Sequence, residues 1–232
     1  MAQPLLDTTA SAPVRTSTRR SYLMCRPDYF TVSYAINPFM HPDQPTDTAL
    51  ALRQWDALRG TYLRLGHTVD LLDPVLGLVD MVFAANGGFT VDGRAFVANF
   101  AYPERKPEAD FFRAWFATHG FETHGSPAVN EGEGDFAFAG DVILAGHGFR
   151  SSAESHDELT RVFGREVLSL RLVDDRFYHL DVALTVLDSV ATAARRGSPT
   201  CRARSTRPGR HCSPTGSPTR SWYPRRRPRS SR

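Results

Sequence analysis

The stretch that decides the fold occurs twice: Phe89-Thr-Val-Asp-Gly-Arg-Ala-Phe-Val-Ala98 and, forty-seven residues later, Phe136-Ala-Phe-Ala-Gly-Asp-Val-Ile-Leu-Ala145. An Asp-Gly pair between two apolar runs is a strong signal for a β-hairpin, because both residues tolerate the positive φ of its turn. Each stretch is followed by a polar loop, a helical pattern and an apolar strand pattern. The repeated unit is therefore strand–strand–helix–strand, and such repetition indicates a radial or stacked architecture.

The rest of the chain, as far as residue 188, also alternates between strand and helix patterns. Apolar residues spaced three and four apart predict a helix over 48–65, and Thr68–Leu72 is the strand that follows it. Further predictions are a short strand at Ser21–Cys25, helices at 108–119 and 153–163, strands at 121–123 and 167–172, and a third hairpin beginning at 182–187. The sequence therefore indicates an α/β protein.

The charge of the 232-residue chain is divided unevenly. All 25 acidic residues lie at or before Asp188, with 16 of the 28 basic ones, so residues 1–188 carry a net charge of −9. This excludes a basic nucleic-acid-binding domain for most of the chain. No run approaches the roughly 18 apolar residues of a membrane span, and no apolar stretch follows the N-terminal arginines as in a secretory signal. We expect a cytoplasmic protein with a disordered start at residues 1–20.

Residues 189–232 form a basic tail of different composition, with 12 arginines and no acidic residue. We expect this tail to be disordered, because it has too few apolar residues to offset the entropy of ordering. It is either an arm that binds nucleic acid, with Trp222 and Tyr223 for stacking, or the product of a shifted reading frame. The single lysine against 27 arginines, typical of GC-rich coding DNA, favours the shifted frame.

Polar residues cluster at the ends of the predicted strands. They are Asp80, Asn86, the pair Arg105 and Glu108, the acidic turn of residues 131–135 (Glu-Gly-Glu-Gly-Asp), Arg150 with two serines after it, and His179 with Asp181. Each has a structural interpretation as well. Acidic residues in glycine-rich turns are usually solvated, and a histidine beside an apolar run is more often structural than catalytic.

Together these residue types suit a small ligand that is cationic at one end and anionic at the other. Asp80 and Asp181 would bind a planar guanidinium, while Arg105 and Arg150 would hold a carboxylate. His179, expected on the same face of a strand as Asp181, would be the acid–base group. The ligand that this chemistry describes is arginine or a methylated arginine.

Seven motifs follow one another over residues 21–188. They are Tyr22-Leu-Met-Cys-Arg-Pro-Asp28, Ile36-Asn37-Pro-Phe-Met40, Asp80 with Asn86, Arg105-x-x-Glu108, Glu131-Gly-x-Gly-Asp135, Gly148-Phe-Arg150-Ser-Ser and His179-Leu-Asp181. In order and spacing this set resembles the guanidino-group-modifying superfamily, which includes dimethylarginine dimethylaminohydrolase, arginine deiminase, glycine amidinotransferase and arginine dihydrolase. Asn37 and Asn86 look most like the dihydrolase branch. The resemblance implies a five-bladed α/β propeller, the pentein fold, with its site on the axis. In this chain we expect the propeller to be incomplete at the C-terminus.

The resemblance also implies a hydrolase, without cofactor or metal, that acts on the guanidino C–N bond of arginine or methylarginine. A cysteine thiolate attacks the guanidinium carbon, His179 transfers the proton, and a carboxylate orients the imidazole. We assign that carboxylate to Glu131, with Glu133 as the alternative. The implied substrate-binding residues are Asn37, Asp80, Asn86, Arg105, Asp135, Arg150 and Asp181.

The family's nucleophilic cysteine follows a glycine-rich stretch near the C-terminus, and nothing in residues 189–232 matches that stretch. Of the three cysteines, Cys201 and Cys212 lie in the basic tail, and Cys25 is expected to be a buried apolar residue of the first strand. We therefore expect residues 21–188 to form a partial catalytic domain without turnover, with non-catalytic arginine binding as the alternative function. The expected partner is a small-molecule substrate, and we expect no membrane association. Nucleic acid would bind only through the basic tail, and a homo-oligomer is possible.

Overall fold

The computed structural model describes residues 18–187, and the structural statements below concern that part of the chain. The first sheet consists of two parallel strands, β1 (Ser21–Cys25) and β2 (Thr68–Leu72), joined by helix α1 (Thr48–Arg64). The Asp47 carboxylate caps α1 by accepting a hydrogen bond from the Leu50 amide. The helix ends before Gly66, whose φ of 82° lies in the left-handed region that favours glycine. These elements confirm the predicted strand, helix and strand.

The second and third sheets have the same topology. Their elements are β3 (Gly88–Val91), β4 (Arg94–Val97), α2 (Glu108–Thr118) and β5 (Glu122–His124), then β6 (Phe136–Ala139), β7 (Val142–His147), α3 (Glu154–Phe163) and β8 (Glu166–Arg171). In each sheet the first two strands form an antiparallel hairpin, and the third strand lies parallel to the second. The first hairpin turns through Asp92 and Gly93, both with positive φ. The structure therefore confirms the strand–strand–helix–strand repeat that the sequence predicts.

The core is built from residues in equivalent places of the two repeats. Phe89 and Phe136, forty-seven residues apart, pack edge to face with their ring centroids 5.9 Å apart. Phe163 of α3 packs on Phe89 in the same manner at 5.3 Å. A second apolar cluster joins α2 to the first sheet and contains the fully buried Cys25 and Phe112. Burial of such aromatic side chains contributes about 1.5–3 kcal/mol each to stability.

Two details of the predictions are wrong. His179 and Asp181 do not share the face of a strand: His179 precedes a short helix, α4 (Leu180–Ala183). The third hairpin expected to begin at 182–187 is likewise absent from the described residues, and the Leu184 amide bonds to the Leu180 carbonyl as in a helical turn. Apolar runs this short fit either a strand or a helical turn.

In the described part of the chain, no helix combines the length and the apolar character needed to cross a membrane.

Candidate functional site

A cavity of about 240 Å³ lies where the ends of the sheets meet the segment between β1 and α1. That segment supplies an apolar wall, and the loops around the second and third sheets supply the polar groups. The lining residues are Phe30, Val32, Ile36, Asn37, Phe39, Met40, Asp80, Phe83, Asn86, Arg105, Arg150, Tyr178 and His179. The cavity thus contains six of the nine residues predicted for the site.

His179 lies between two carboxylates of the acidic turn. Its Nε2 is 3.3 Å from Glu131 Oε2, and its Nδ1 is 3.2 Å from Asp135 Oδ2. Both pairs are ion-pair contacts that are not aligned as hydrogen bonds, and the hydrogen-bond contact of Nε2 is with Asn86 Nδ2 at 3.3 Å. All three side chains are buried. Glu131, and not the exposed Glu133, is therefore the carboxylate in contact with the imidazole at Nε2.

The glycines of the acidic turn make this close approach sterically feasible. Gly132 has a φ of 54°, and a Cβ there would lie 2.5 Å from the backbone of Gly88. A Cβ on Gly134 would lie 2.2 Å from Asn86 Nδ2. Because contacts this short do not occur, the turn requires glycine at both positions. The Glu-Gly-Glu-Gly-Asp motif is therefore explained by packing as well as by charge.

The two carboxylates hold the imidazole in its charged form. Burial would by itself lower the pKa of His179, but Asp135 and Glu131 outweigh that effect and raise the pKa to about 9. Burial would likewise raise the pKa of Glu131, but the contact with His179 and the charge of Arg150 lower it to about 2. At neutral pH the site therefore contains an imidazolium cation that can donate a proton.

Arg150 reaches the same carboxylate from the loop after β7. Its Nη1 bonds to both oxygens of Glu131, at 3.3 and 3.2 Å, and its Nη2 donates to the Ile36 carbonyl at 2.9 Å. The guanidinium lies over the ring of Tyr102, 4.7 Å from its centroid. Since a guanidinium has five N–H donors, Arg150 retains donors for a ligand in the cavity that it lines.

Arg105 is used differently. It makes four hydrogen bonds within the protein: two to the Glu108 carboxylate, one to the Asn86 side chain and one to the Asp80 carbonyl. Arg105 and Glu108 are both buried, so this ion pair is well shielded from solvent. Arg105 therefore lines the cavity with few donors left over, and it mainly fixes the positions of Asp80 and Asn86.

Asp80 is the acidic group that lines the cavity. It is 2% exposed, and its Oδ2 accepts a 2.6 Å hydrogen bond from the Tyr34 hydroxyl. Its Oδ1 has no hydrogen-bond partner among the described residues. A buried carboxylate oxygen without a donor is costly, so this atom marks the place where a ligand's N–H groups would be favourable.

The remaining predicted residues lie in three different settings. Asn37 lines the cavity, and its Oδ1 accepts a hydrogen bond from the Phe39 amide. Asp181 is exposed and lies outside the cavity lining, which contains Asp80. Cys25 is fully buried, and burial raises the pKa of its thiol to about 12, which agrees with an apolar role. Cys201 and Cys212 lie outside the described residues.

Sequence reasoning missed two features of the site. One is Tyr34, whose hydroxyl occupies one oxygen of Asp80. The other is the apolar wall from the segment before α1, which includes Phe30, Phe39 and Met40. Nothing local in the sequence indicates either feature, although the Ile-Asn-Pro-Phe-Met motif lies in that segment.

The site thus combines a buried carboxylate oxygen without a donor, a guanidinium with N–H groups left over and an imidazolium between two carboxylates. No family model matches the chain. Among curated proteins, it is 49% identical over 174 residues to the dimethylarginine dimethylaminohydrolase of Mycobacterium tuberculosis, covering 75% of this chain and 58% of that protein. It is 39% identical over 170 residues to the bifunctional arginine dihydrolase/ornithine cyclodeaminase ArgZ of Synechocystis sp., covering 71% of this chain and 24% of that protein.

Solved structures agree with these relationships. The N-terminal domain of ArgZ bound to substrate has a TM-score of 0.65 at 38% identity, covering 68% of this chain and 60% of that one. A mutant of AgrE in complex with L-arginine has a TM-score of 0.68 at 39% identity, covering 70% of this chain and 25% of that one. The chain is a homologue of the dimethylarginine dimethylaminohydrolases and of the arginine dihydrolases ArgZ and AgrE. It has a mixed α/β fold like theirs, and it spans from about a quarter to three-fifths of the length of these relatives.

Proposed function

We propose that this chain binds the guanidino group of arginine or a methylated arginine in the cavity beside His179. The observation that carries the proposal is the buried Oδ1 of Asp80, which lines the cavity without a hydrogen-bond donor. A guanidinium offers several N–H donors and a delocalised positive charge, both of which would compensate that oxygen. The ligand's carboxylate would take the remaining donors of Arg150.

The site favours guanidino chemistry at one step in particular. In hydrolysis of a guanidino C–N bond, the departing amine must receive a proton, and the imidazolium of His179 is placed between Glu131 and Asp135 to supply one. Glu131 would orient the ring through Nε2. With a nucleophilic cysteine present, such a site would support a displacement in which the thiolate attacks the guanidinium carbon, the amine leaves with the proton from His179, and water then hydrolyses the covalent intermediate.

We further propose that this chain binds its ligand without turning it over. The described residues contain one cysteine, Cys25, which is buried in the second core cluster and has a raised pKa. A thiol of this kind is not a nucleophile at neutral pH.

We also propose that the three sheets are successive blades of a five-bladed propeller, with the site on its axis.

Calorimetric titration with arginine, dimethylarginine and citrulline tests the binding. Citrulline has nearly the shape of arginine but no positive charge, so binding should be seen for the two cations and be at least tenfold weaker for citrulline. Asp80→Asn should remove binding, whereas Asp92→Asn, the same change at an exposed hairpin turn, should leave it intact. Equal affinity for citrulline and arginine, or full binding by Asp80→Asn, would contradict the proposal.

A separate assay tests turnover. Arginine and dimethylarginine are incubated with the full chain, and ammonia, dimethylamine, citrulline and ornithine are measured. We expect no product above a protein-free control. Product that disappears in Cys201→Ser or Cys212→Ser would overturn the proposed inactivity and leave the proposed binding untouched.

A further inference from the structure

The serine after Arg150 connects the two acids that flank His179. Ser151 is 4% exposed, and its Oγ donates a 2.6 Å hydrogen bond to Asp135 Oδ2. The same Oγ accepts a 3.0 Å hydrogen bond from the backbone amide of Glu131. One hydroxyl therefore fixes the first residue of the acidic turn through its backbone and the last residue through its side chain.

A tight turn over residues 148–151 positions this hydroxyl. The Gly148 amide donates to the Ser151 carbonyl at 3.1 Å, and Gly148 has a φ of 134°. A Cβ on Gly148 would lie 2.9 Å from the Leu172 carbonyl oxygen. The turn thus packs closely against the end of β8, and it places Arg150 and Ser151 against the same glutamate.

The geometry around Asp135 shows what the hydroxyl does. Asp135 Oδ1 accepts a hydrogen bond from the Leu180 amide at 3.1 Å, and Oδ2 accepts from Ser151. Both oxygens are therefore held. Although Oδ2 lies 3.2 Å from His179 Nδ1, the pair is not aligned, and Nδ1 has no hydrogen-bond partner among the described residues.

We propose that Ser151 is a positioning residue whose hydrogen bond to Asp135 Oδ2 weakens the interaction of that carboxylate with His179 Nδ1 and thereby limits how firmly the imidazolium retains its proton. This inference rests on the proposed function, in which His179 is placed to supply a proton to the departing amine. An Asp135 carboxylate without the Ser151 donor would interact more strongly with Nδ1 and stabilise the imidazolium further. The proton would then be harder to release.

The Ser151 hydroxyl forms no hydrogen bond to the side chains of the other charged and titratable groups around His179. They are Glu131 on the acidic turn, Asp181 on α4, Tyr178 next in sequence, Arg150 and Arg105 across Glu131, and Asp80 in the cavity lining. Glu131 pairs with Nε2, the opposite side of the ring from Asp135. Since Ser151 bonds to the backbone amide of Glu131 and to the carboxylate of Asp135, Asp135 is the only carboxylate among the described residues that loses a hydrogen-bond donor upon mutation of Ser151.

The test is a pH titration of His179 by NMR in the full chain labelled with ¹⁵N-histidine, in the absence of ligand. The imidazole signal is assigned by its disappearance in His179→Gln. In Ser151→Ala the midpoint should rise by roughly half a pH unit or more. Ser151→Cys has a weak S–H donor of similar size and should also raise the midpoint. Ser151→Thr retains the hydroxyl and should restore the wild-type value.

Ser152→Ala is the matched control, because it removes the neighbouring hydroxyl, which contacts Glu154 instead. Its midpoint should equal that of the wild type. An unchanged or lowered midpoint in folded Ser151→Ala would overturn the proposal, and so would an equal rise in Ser152→Ala. If Ser151→Ala does not fold, Ser151→Cys decides by the same criterion. The titration needs no ligand, so failure of arginine binding would refute the proposed function without affecting this result.

Discussion

Replacing His179 by glutamine should change how the stability of the protein depends on pH. The folded protein raises the pKa of this histidine from its ordinary 6.5 to about 9 through Asp135 and Glu131. A raised pKa contributes stability that is fully present below pH 6.5 and is lost as the pH rises through 9. Since each pKa unit corresponds to about 1.36 kcal/mol, the contribution is on the order of 3 kcal/mol.

The assay is urea denaturation of the wild type and His179→Gln at pH 5.5 and pH 10. Other groups that titrate in this range affect both proteins alike, so they cancel in the difference between the two free energies of unfolding. That difference should be larger at pH 5.5 than at pH 10 by about 3 kcal/mol. The exposed His41, changed to glutamine, is the control and should behave as the wild type. A difference that is the same at both pH values would refute the reasoning.

Three further predictions concern the site and its surroundings. Glu131→Gln leaves buried cations without their acceptor and should lower the free energy of unfolding at pH 7 by about 3–5 kcal/mol in urea denaturation; a loss below about 1 kcal/mol would contradict the role of this carboxylate. Gly134→Ala places a methyl group against Asn86 and should cost about 1–3 kcal/mol, whereas Gly60→Ala, inside α1 and beside a flexible arginine, should stabilise by about 0.5–1 kcal/mol, as thermal melts would show. Cys25 should resist a thiol reagent at pH 8 until urea unfolds the chain, so the native wild type and Cys25→Ala should show equal numbers of fast-reacting thiols.

The sequence predicts those parts of the fold that depend on local patterns. The hairpin of β3 and β4 follows from Asp92-Gly93 and its apolar flanks, because turn chemistry acts over a few residues. The strand Thr68–Leu72 follows in the same way from a helix end and an apolar run. The short helix after His179 could not be predicted, since four residues with apolar neighbours suit a strand equally well.

The sequence brings candidate residues together but does not predict how they pair. Six of the nine residues predicted for the site line one cavity. Their partners are set by contacts between distant parts of the chain, such as Arg150 with the Ile36 carbonyl, 114 residues away. The contact between Tyr34 and Asp80 spans 46 residues in the same manner. Such contacts leave no local pattern in the sequence. The use of the Arg105 N–H donors within the protein and the proposed role of Ser151 can therefore be seen only in the three-dimensional structure.

A crystal structure of the full chain with L-arginine bound tests the central claim most directly. The account predicts the guanidinium within hydrogen-bond distance of Asp80 Oδ1, the ligand's carboxylate on Arg150, and His179 still between Glu131 and Asp135. A ligand bound elsewhere, or an arginine whose carboxylate lies against Asp80 Oδ1, would contradict it.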